Sequence, residues 1–223
     1  MADSQQVTDG QITLPNDPFA GETIIAHNVP YDVFLRAFDG HPAEWHEGRV
    51  IKVMLNNIYH QMVQNLLLVL ITLSVGFRPL GRIISAGFSM RVADGLPRRE
   101  PDLVIVLNEH KDRLKDTYLD GPADIAIEIV SPESVGRDYG AKFQEYELAG
   151  VPEYWLIDPF RKNVDVNVLG EGGFYHRLAR EDGLLRSTLL PDFVLDPALV
   201  WADEPPNGPA LIELVQNMLG ANG

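Results

Sequence analysis

Asp-Ile-Ala-Ile-Glu-Ile-Val, residues 124–130, is a short β-branched run with breakers beside it, the pattern of a central strand. Side chains alternate along a strand, so Ile125, Ile127 and Ile129 share one face while Asp124, Ala126, Glu128 and Val130 share the other. Glu128 therefore interrupts an apolar element, where an ionised carboxylate is costly unless it is paired or bound to a cation. Upstream, Asp102-Leu-Val-Ile-Val-Leu107 reads as a second central strand, opened by Pro101-Asp102. Asp102 and Glu128 then converge at one end of adjacent strands. A hard divalent cation takes one or two carboxylates and fills its remaining positions with water and substrate phosphate, which this pair offers. An Arg or Lys partner, or escape to solvent at the strand end, accounts for Glu128 equally well.

Downstream, Asp138 to Ala149 places Tyr139, Phe143, Tyr146 and Leu148 or Ala149 near one helix face, and Gly150 stops it. Lys142 stands fourteen residues beyond Glu128, early in this helix. A strand-to-helix return of that length can bring its ammonium back over the strand ends, to orient water or offset charge on phosphorus. The ordinary alternative is an exposed helix lysine.

Working outward, Asn56 to Val75 carries apolar residues at a 3.6-residue period, a helix that Gly76 closes. Residues 81–85 and 87–92 read as one strand with an irregularity between them. Glu153 to Asp158 is a further strand. Asn163 to Leu169 and Phe174 to Ala179 form a hairpin, and Leu184 to Thr188 adds a third antiparallel strand. Nearer the N-terminus, Tyr31 to Phe38 is a short helix and Ala43 to Met54 a hairpin about Glu47-Gly48. Residues 1–28 read as a flexible leader, 29–203 as the folded domain, and 204–223 as a Pro-rich linker with a terminal or partner-facing helix at 210–219. The order is helix, three strands, helix, strand: an α/β domain with a central mixed sheet flanked by helices and extra antiparallel strands after residue 160.

Composition narrows the chemistry. The 223 residues suit one domain, and 45% hydrophobic residues supply a core. The absence of cysteine removes disulfides, cysteine-ligated metals and thiol nucleophiles, and is compatible with a reducing cytoplasm. The first residues are acidic and polar rather than basic then apolar, so no targeting segment is read, and the apolar run Leu66 to Ile71 is too short to span a bilayer. No membrane association is expected.

A net charge of −14 repels nucleic acid on average. Residues 78–115, however, hold eight basic against five acidic side chains. Arg91, Arg98 and Arg99 beside Asp102 would form a local rim for DNA, giving weak, salt-sensitive binding, or else be solvated surface arginines. His60, on the long helix, is a candidate for phosphate contact or proton transfer, with a satisfied core histidine as the alternative. No HExxH, phosphate-loop or nucleophile-elbow motif occurs. Apolar helices near both ends make a homodimer the default assembly.

Glu44-Trp-His-Glu-Gly-Arg49, Arg99-Glu-Pro-Asp102, Asp124-Ile-Ala-Ile-Glu-Ile-Val-Ser-Pro132, and Asp138-Tyr-Gly-Ala-Lys142 leading to Gly150-Val-Pro-Glu-Tyr-Trp155 occur in that order. Together they resemble the Uma-type family of "putative restriction endonucleases", a branch of the PD-(D/E)XK nuclease superfamily, from about Tyr31 to Trp201. The resemblance implies a restriction endonuclease-like αβββαβ core. It implies a Mg²⁺- or Mn²⁺-dependent endonuclease in which Asp102 and Glu128 hold the metal, with the Ile129 carbonyl a further ligand and Glu44 a further acidic group. The superfamily motif puts lysine where this chain has Val130, so the lysine function has moved to Lys142 or been lost. A catalytically silent binding module on the same fold and a phosphodiesterase for small substrates are the competing readings.

Overall fold

A strand that is apolar on both faces needs a covering layer on each side, and the chain supplies both. The computed structural model describes residues 24–38, 43–46, 48–52, 58–92, 98–132 and 134–220, with backbone only at 44, 46, 51 and 52. The chain falls into two units, residues 1–56 and 57–223.

In the first unit, β1 (Ile24–Ala26) lies within the segment read as a leader, and is followed by α1 (Tyr31–Ala37), β2 (Ala43–His46) and β3 (Arg49–Lys52). The expected hairpin is present, with Trp45 opposite Val50, and β1 adds to its β3 edge. Gly48 takes the left-handed backbone its turn requires, at φ 83°. Glu44 belongs to β2, but its side chain lies outside the described residues.

The second unit begins with α2 (Ile58–Phe77), β4 (Gly81–Ser85), β5 (Ser89–Arg91), β6 (Arg98–Arg99), β7 (Leu103–Leu107), β8 (Tyr118–Leu119) and β9 (Ile125–Ile129). A π turn (Arg137–Ala141) leads into α3 (Lys142–Ala149), followed by β10 (Glu153–Asp158), β11 (Asn163–Leu169), β12 (Tyr175–Arg177), β13 (Leu185–Arg186), β14 (Val194–Leu195) and α4 (Gly208–Gly220). The six-stranded sheet runs β12-β11-β10-β9-β7-β4, antiparallel except for the parallel β9–β10 pair. Ile125, Ile127 and Ile129 join one core with α2, α4 and the C-terminal residues Leu190, Phe193 and Val200. Ala126 and Val130 join the other, with Tyr146, Val151 and Tyr154. The alternation read from the sequence thus separates the two cores.

Three expectations need correction. Residues 81–92 are not one strand: Ala86 N–H bonds to the Asp102 carbonyl beyond the end of β7, and Gly87 at φ 91° then turns the chain away. Hence β5 pairs with β6 and β8 in a separate three-stranded sheet. The long helix runs through Gly76, whose outer side is open, and stops before Pro79, which disfavours helical backbone in Arg78. The strand at 185–186 pairs with β14 rather than extending the β11–β12 hairpin.

Buried Glu153 accounts for that last rearrangement. Its carboxylate accepts from Trp155 Nε1 (2.8 Å), Thr188 N–H (2.6 Å), Thr188 Oγ1 (2.5 Å) and Ser187 Oγ (3.0 Å), which ties residues 187–189 to β10. Glu153→Gln turns an amide donor toward these donors and should lower unfolding stability by ~2 kcal/mol, read as a fall in Tm of ~4–8 °C. An unchanged Tm would contradict this role.

α2 is the described helix long and apolar enough to cross a membrane, yet half of it is buried, with Leu66, Leu67, Leu70 and Ile71 against the sheet. α4 packs on α2 through Leu211 and Val215, so this face of the C-terminal helix is used within the chain.

Candidate active site

Antiparallel pairing sets Leu103 opposite Ile127 and Val104 opposite Ala126, so continuing the register brings Asp102 to the level of Glu128. The ladder ends there because the Asp102 side chain replaces the next backbone partner: its Oδ2 accepts the Ile129 N–H at 2.7 Å. The Asp102 carbonyl accepts from Ala86 N–H at 2.9 Å and Gln64 Nε2 at 3.0 Å. His60 Nε2 lies 3.2 Å from Asp102 Oδ2. His60 and Gln64, one turn apart on the buried side of α2, therefore both hold Asp102.

Glu128 faces the second core. Tyr146 Oη donates to its Oε1 at 2.9 Å, and Lys142 Nζ lies 2.8 Å from its Oε2. Burial pushes the Glu128 carboxyl up to about 7; the Lys142 ammonium opposes this without cancelling it, and Asp102 pushes further in the same direction. The two acids are thus close enough to feel one another. Burial, and then the negative charge of Glu128, hold Tyr146 well above its ordinary value, so its hydroxyl stays a donor.

The Ile129 N–H points toward Asp102, whereas the Val130 N–H bonds to Ile157 on the opposite strand. In extended backbone a residue's carbonyl points to the same edge as its N–H, so the Ile129 carbonyl also faces the Asp102 side. The available donors are two carboxylates and a backbone carbonyl, hard oxygens suited to Mg²⁺ or Mn²⁺. Asp102, Glu128 and Asp138 set three carboxylates against the Lys142 ammonium and the Arg137 guanidinium 3.9 Å from Asp138, leaving a net negative charge that favours a cation.

The expected arginine rim is largely internally neutralised. Arg99 forms a two-pronged ion pair with Glu145, at 2.6 and 2.7 Å, close enough to Glu128 to feel its charge. Arg91 pairs with Asp120 at 2.8 Å, and the Arg98 guanidinium lies 4.5 Å from the Tyr118 ring centroid. The small β5–β6–β8 sheet brings Arg98 to Tyr118 and Arg91 to Asp120 just after β8, while Arg99 meets Glu145 of α3, and spacing alone did not reveal these partners.

Another group of potential ligands, Glu109, His110 and Asp124, has its ligand atoms within 4.8 Å of one another. It lies at the other end of β9, about 13 Å from Glu128 by strand rise. A 2.6 Å contact between His110 Nδ1 and Asp124 Oδ1, with Leu107 N–H on Asp124 Oδ2, accounts for its closeness without an ion.

Sequence reasoning missed Gln64, Tyr146 and Asp138 as members of the site. The signals were the polar pair His60/Gln64 on an apolar helix face and the Asp138/Lys142 spacing of one helical turn.

Comparison with solved structures finds a "putative nuclease belonging to DUF820" from Anabaena variabilis, with a TM-score of 0.55 and 19% identity, covering 76% of this chain and 96% of that one. At that identity the likeness is one of fold. A search of curated proteins returns no match. The Uma2 family, described as "Putative restriction endonuclease", matches residues 32–198. That span contains Asp102, Glu128 and Lys142, and the chain belongs to the Uma2 family.

Proposed function

We propose that this protein is a Mg²⁺- or Mn²⁺-dependent endonuclease that hydrolyses phosphodiester bonds in DNA or another nucleic acid. The observation carrying this reading is the meeting of Asp102, Glu128 and Lys142 at the ends of β7 and β9, where the amine lies 2.8 Å from the Glu128 carboxylate. Asp102, Glu128 and the Ile129 carbonyl are the groups that would hold the cation. A bound divalent cation would polarise a phosphoryl oxygen and lower the pKa of water. Asp102 is fixed by Ile129 N–H and His60, and Glu128 by Tyr146, so both carboxylates are held in place, and an ion would have to draw Glu128 Oε2 away from the Lys142 ammonium. Lys142 supplies a positive N–H donor beside them, suited to orienting attacking water or a non-bridging phosphate oxygen.

The negative net charge predicts weak binding that falls with salt. Plasmid DNA, linear duplex, single strands, RNA and a small phosphodiester should be incubated side by side with Mg²⁺, Mn²⁺ or EDTA. Cutting of at least one polynucleotide that EDTA abolishes is expected, as is loss of saturable Mn²⁺ uptake in Asp102→Ala. Turnover of the small diester alone would move the reading to a small-substrate phosphodiesterase. Failure to cut any substrate, without saturable Mn²⁺ binding, would leave a catalytically silent module.

A further inference from the structure

Lys142 is shared. Its Nζ lies 2.8 Å from Glu128 Oε2 and 3.1 Å from Asp138 Oδ1. All three residues are buried: Glu128 is 3% exposed, Asp138 1% and Lys142 8%. A buried ammonium needs a charged partner, yet the partner here is a carboxylate that the proposed reaction assigns to a cation. If Glu128 were its sole anchor, each ion taken up would strand the lysine.

The backbone around Asp138 prevents that. In the π turn the Lys142 N–H reaches the Arg137 carbonyl, and π turns are often retained where function needs a side chain re-aimed. This turn sets Asp138 and Lys142 on the same side of the chain. Asp138 itself is pinned by two backbone bonds: its N–H donates to the Ser134 carbonyl at 2.8 Å, and its carbonyl accepts from Tyr154 Oη at 3.0 Å. The backbone of Asp138 is therefore fixed, and its buried carboxylate, 3.1 Å from Lys142 Nζ and 3.9 Å from Arg137 Nε, stands as a second anchor.

We propose that Asp138 is a positioning residue for Lys142, holding the ammonium beside the reaction centre when Glu128 turns its charge to a divalent cation. This rests on the metal-dependent nuclease reading and extends it to a carboxylate outside the Asp–Glu–Lys set.

Calorimetric titration with Mn²⁺ tests it on the full chain as wild type, Asp138→Asn, Lys142→Met and the double variant. In Asp138→Asn the lysine stays on Glu128 and competes with the ion, so Mn²⁺ affinity should fall about tenfold. In the Lys142→Met background the same change should have little effect, because the competitor is gone. An equal weakening in both backgrounds, the mark of a direct charge effect, would overturn the proposal, as would no weakening in either. Failure of the nuclease reading itself looks different: wild type and Glu128→Gln would then bind Mn²⁺ equally or not at all, and both ideas fall together.

Should Asp138→Asn not fold, the wild type still decides. In ¹⁵N-lysine-labelled protein the Lys142 ammonium signal should remain protected from solvent exchange at saturating Mg²⁺. Its loss on adding Mg²⁺ would show that Asp138 does not retain it.

Discussion

Glu128→Gln is expected to cut turnover of a cleaved polynucleotide at least ~10³-fold at saturating Mg²⁺, without lowering the unfolding temperature of the metal-free protein at pH 8. The two halves have one cause. Glu128 is buried, and its carboxyl is raised from 4.5 to about 7, with burial the largest contribution and Lys142 opposing it. A carboxyl raised by folding contributes stability that is complete below its unfolded value and is lost as pH rises through its folded value. The window is therefore about pH 4.5 to 7, and the stability at stake is ~3 kcal/mol. Metal-free wild type should lose Tm across this window, while Glu128→Gln should lack that part of the decline. A divalent cation needs the deprotonated carboxylate, so Mg²⁺ affinity should rise over the same window and its uptake should release a proton. Thermal unfolding from pH 5 to 8, with and without Mg²⁺, reads all of this. Cleavage by Glu128→Gln within tenfold of wild type would place the reaction elsewhere.

Elements fixed by local pattern were legible in the sequence. The alternation in residues 124–130 assigns each isoleucine to one core and Glu128 to the other, as the packing has it. Asp102 beside Glu128 followed from two strands opening and closing at the same end, and the return of Lys142 from a helix after a breaker-rich turn of suitable length. Contacts decided by long-range packing were not legible. Arg99 looks like a phosphate-rim residue until Glu145, 46 positions later, is placed against it. Residues 81–92 are apolar enough for one strand, and only the bond from Ala86 to Asp102, with the turn at Gly87, divides them. The strand at 185–186 was diverted by Glu153, whose side chain gathers the following loop. The helical spacing places Tyr146 on one face of its helix, and it is buried there; its hydroxyl on Glu128 depends on how α3 packs against β9, which no local window contains.

Lys142→Ala should reduce turnover by about 10²–10³-fold while leaving Mn²⁺ binding at least as tight as in wild type at pH 8.5. The lysine is not a ligand: its ammonium is a donor, and at 2.8 Å from Glu128 it would compete with a cation for that carboxylate. Removing it should therefore separate chemistry from metal uptake, which loss of Asp102 or Glu128 cannot do. The alkaline condition matters because the ammonium opposes the rise in the Glu128 carboxyl; without it the proton is held more tightly and would mask binding nearer neutrality. Arginine should rescue poorly, since its planar fork must fit a niche only 8% exposed and already closed by Asp138 and Glu128. The Val130 position would not accept an amine: it is 1% exposed and in the core with Tyr146, Val151 and Leu156, where an ammonium would have to displace core, whereas Lys142 on α3 reaches Glu128 without doing so. Single-turnover cleavage with saturating Mg²⁺ gives the comparison. Activity of Lys142→Ala within threefold of wild type would reduce Lys142 to a counter-ion for buried carboxylates, and the reaction would need its positive donor from another residue.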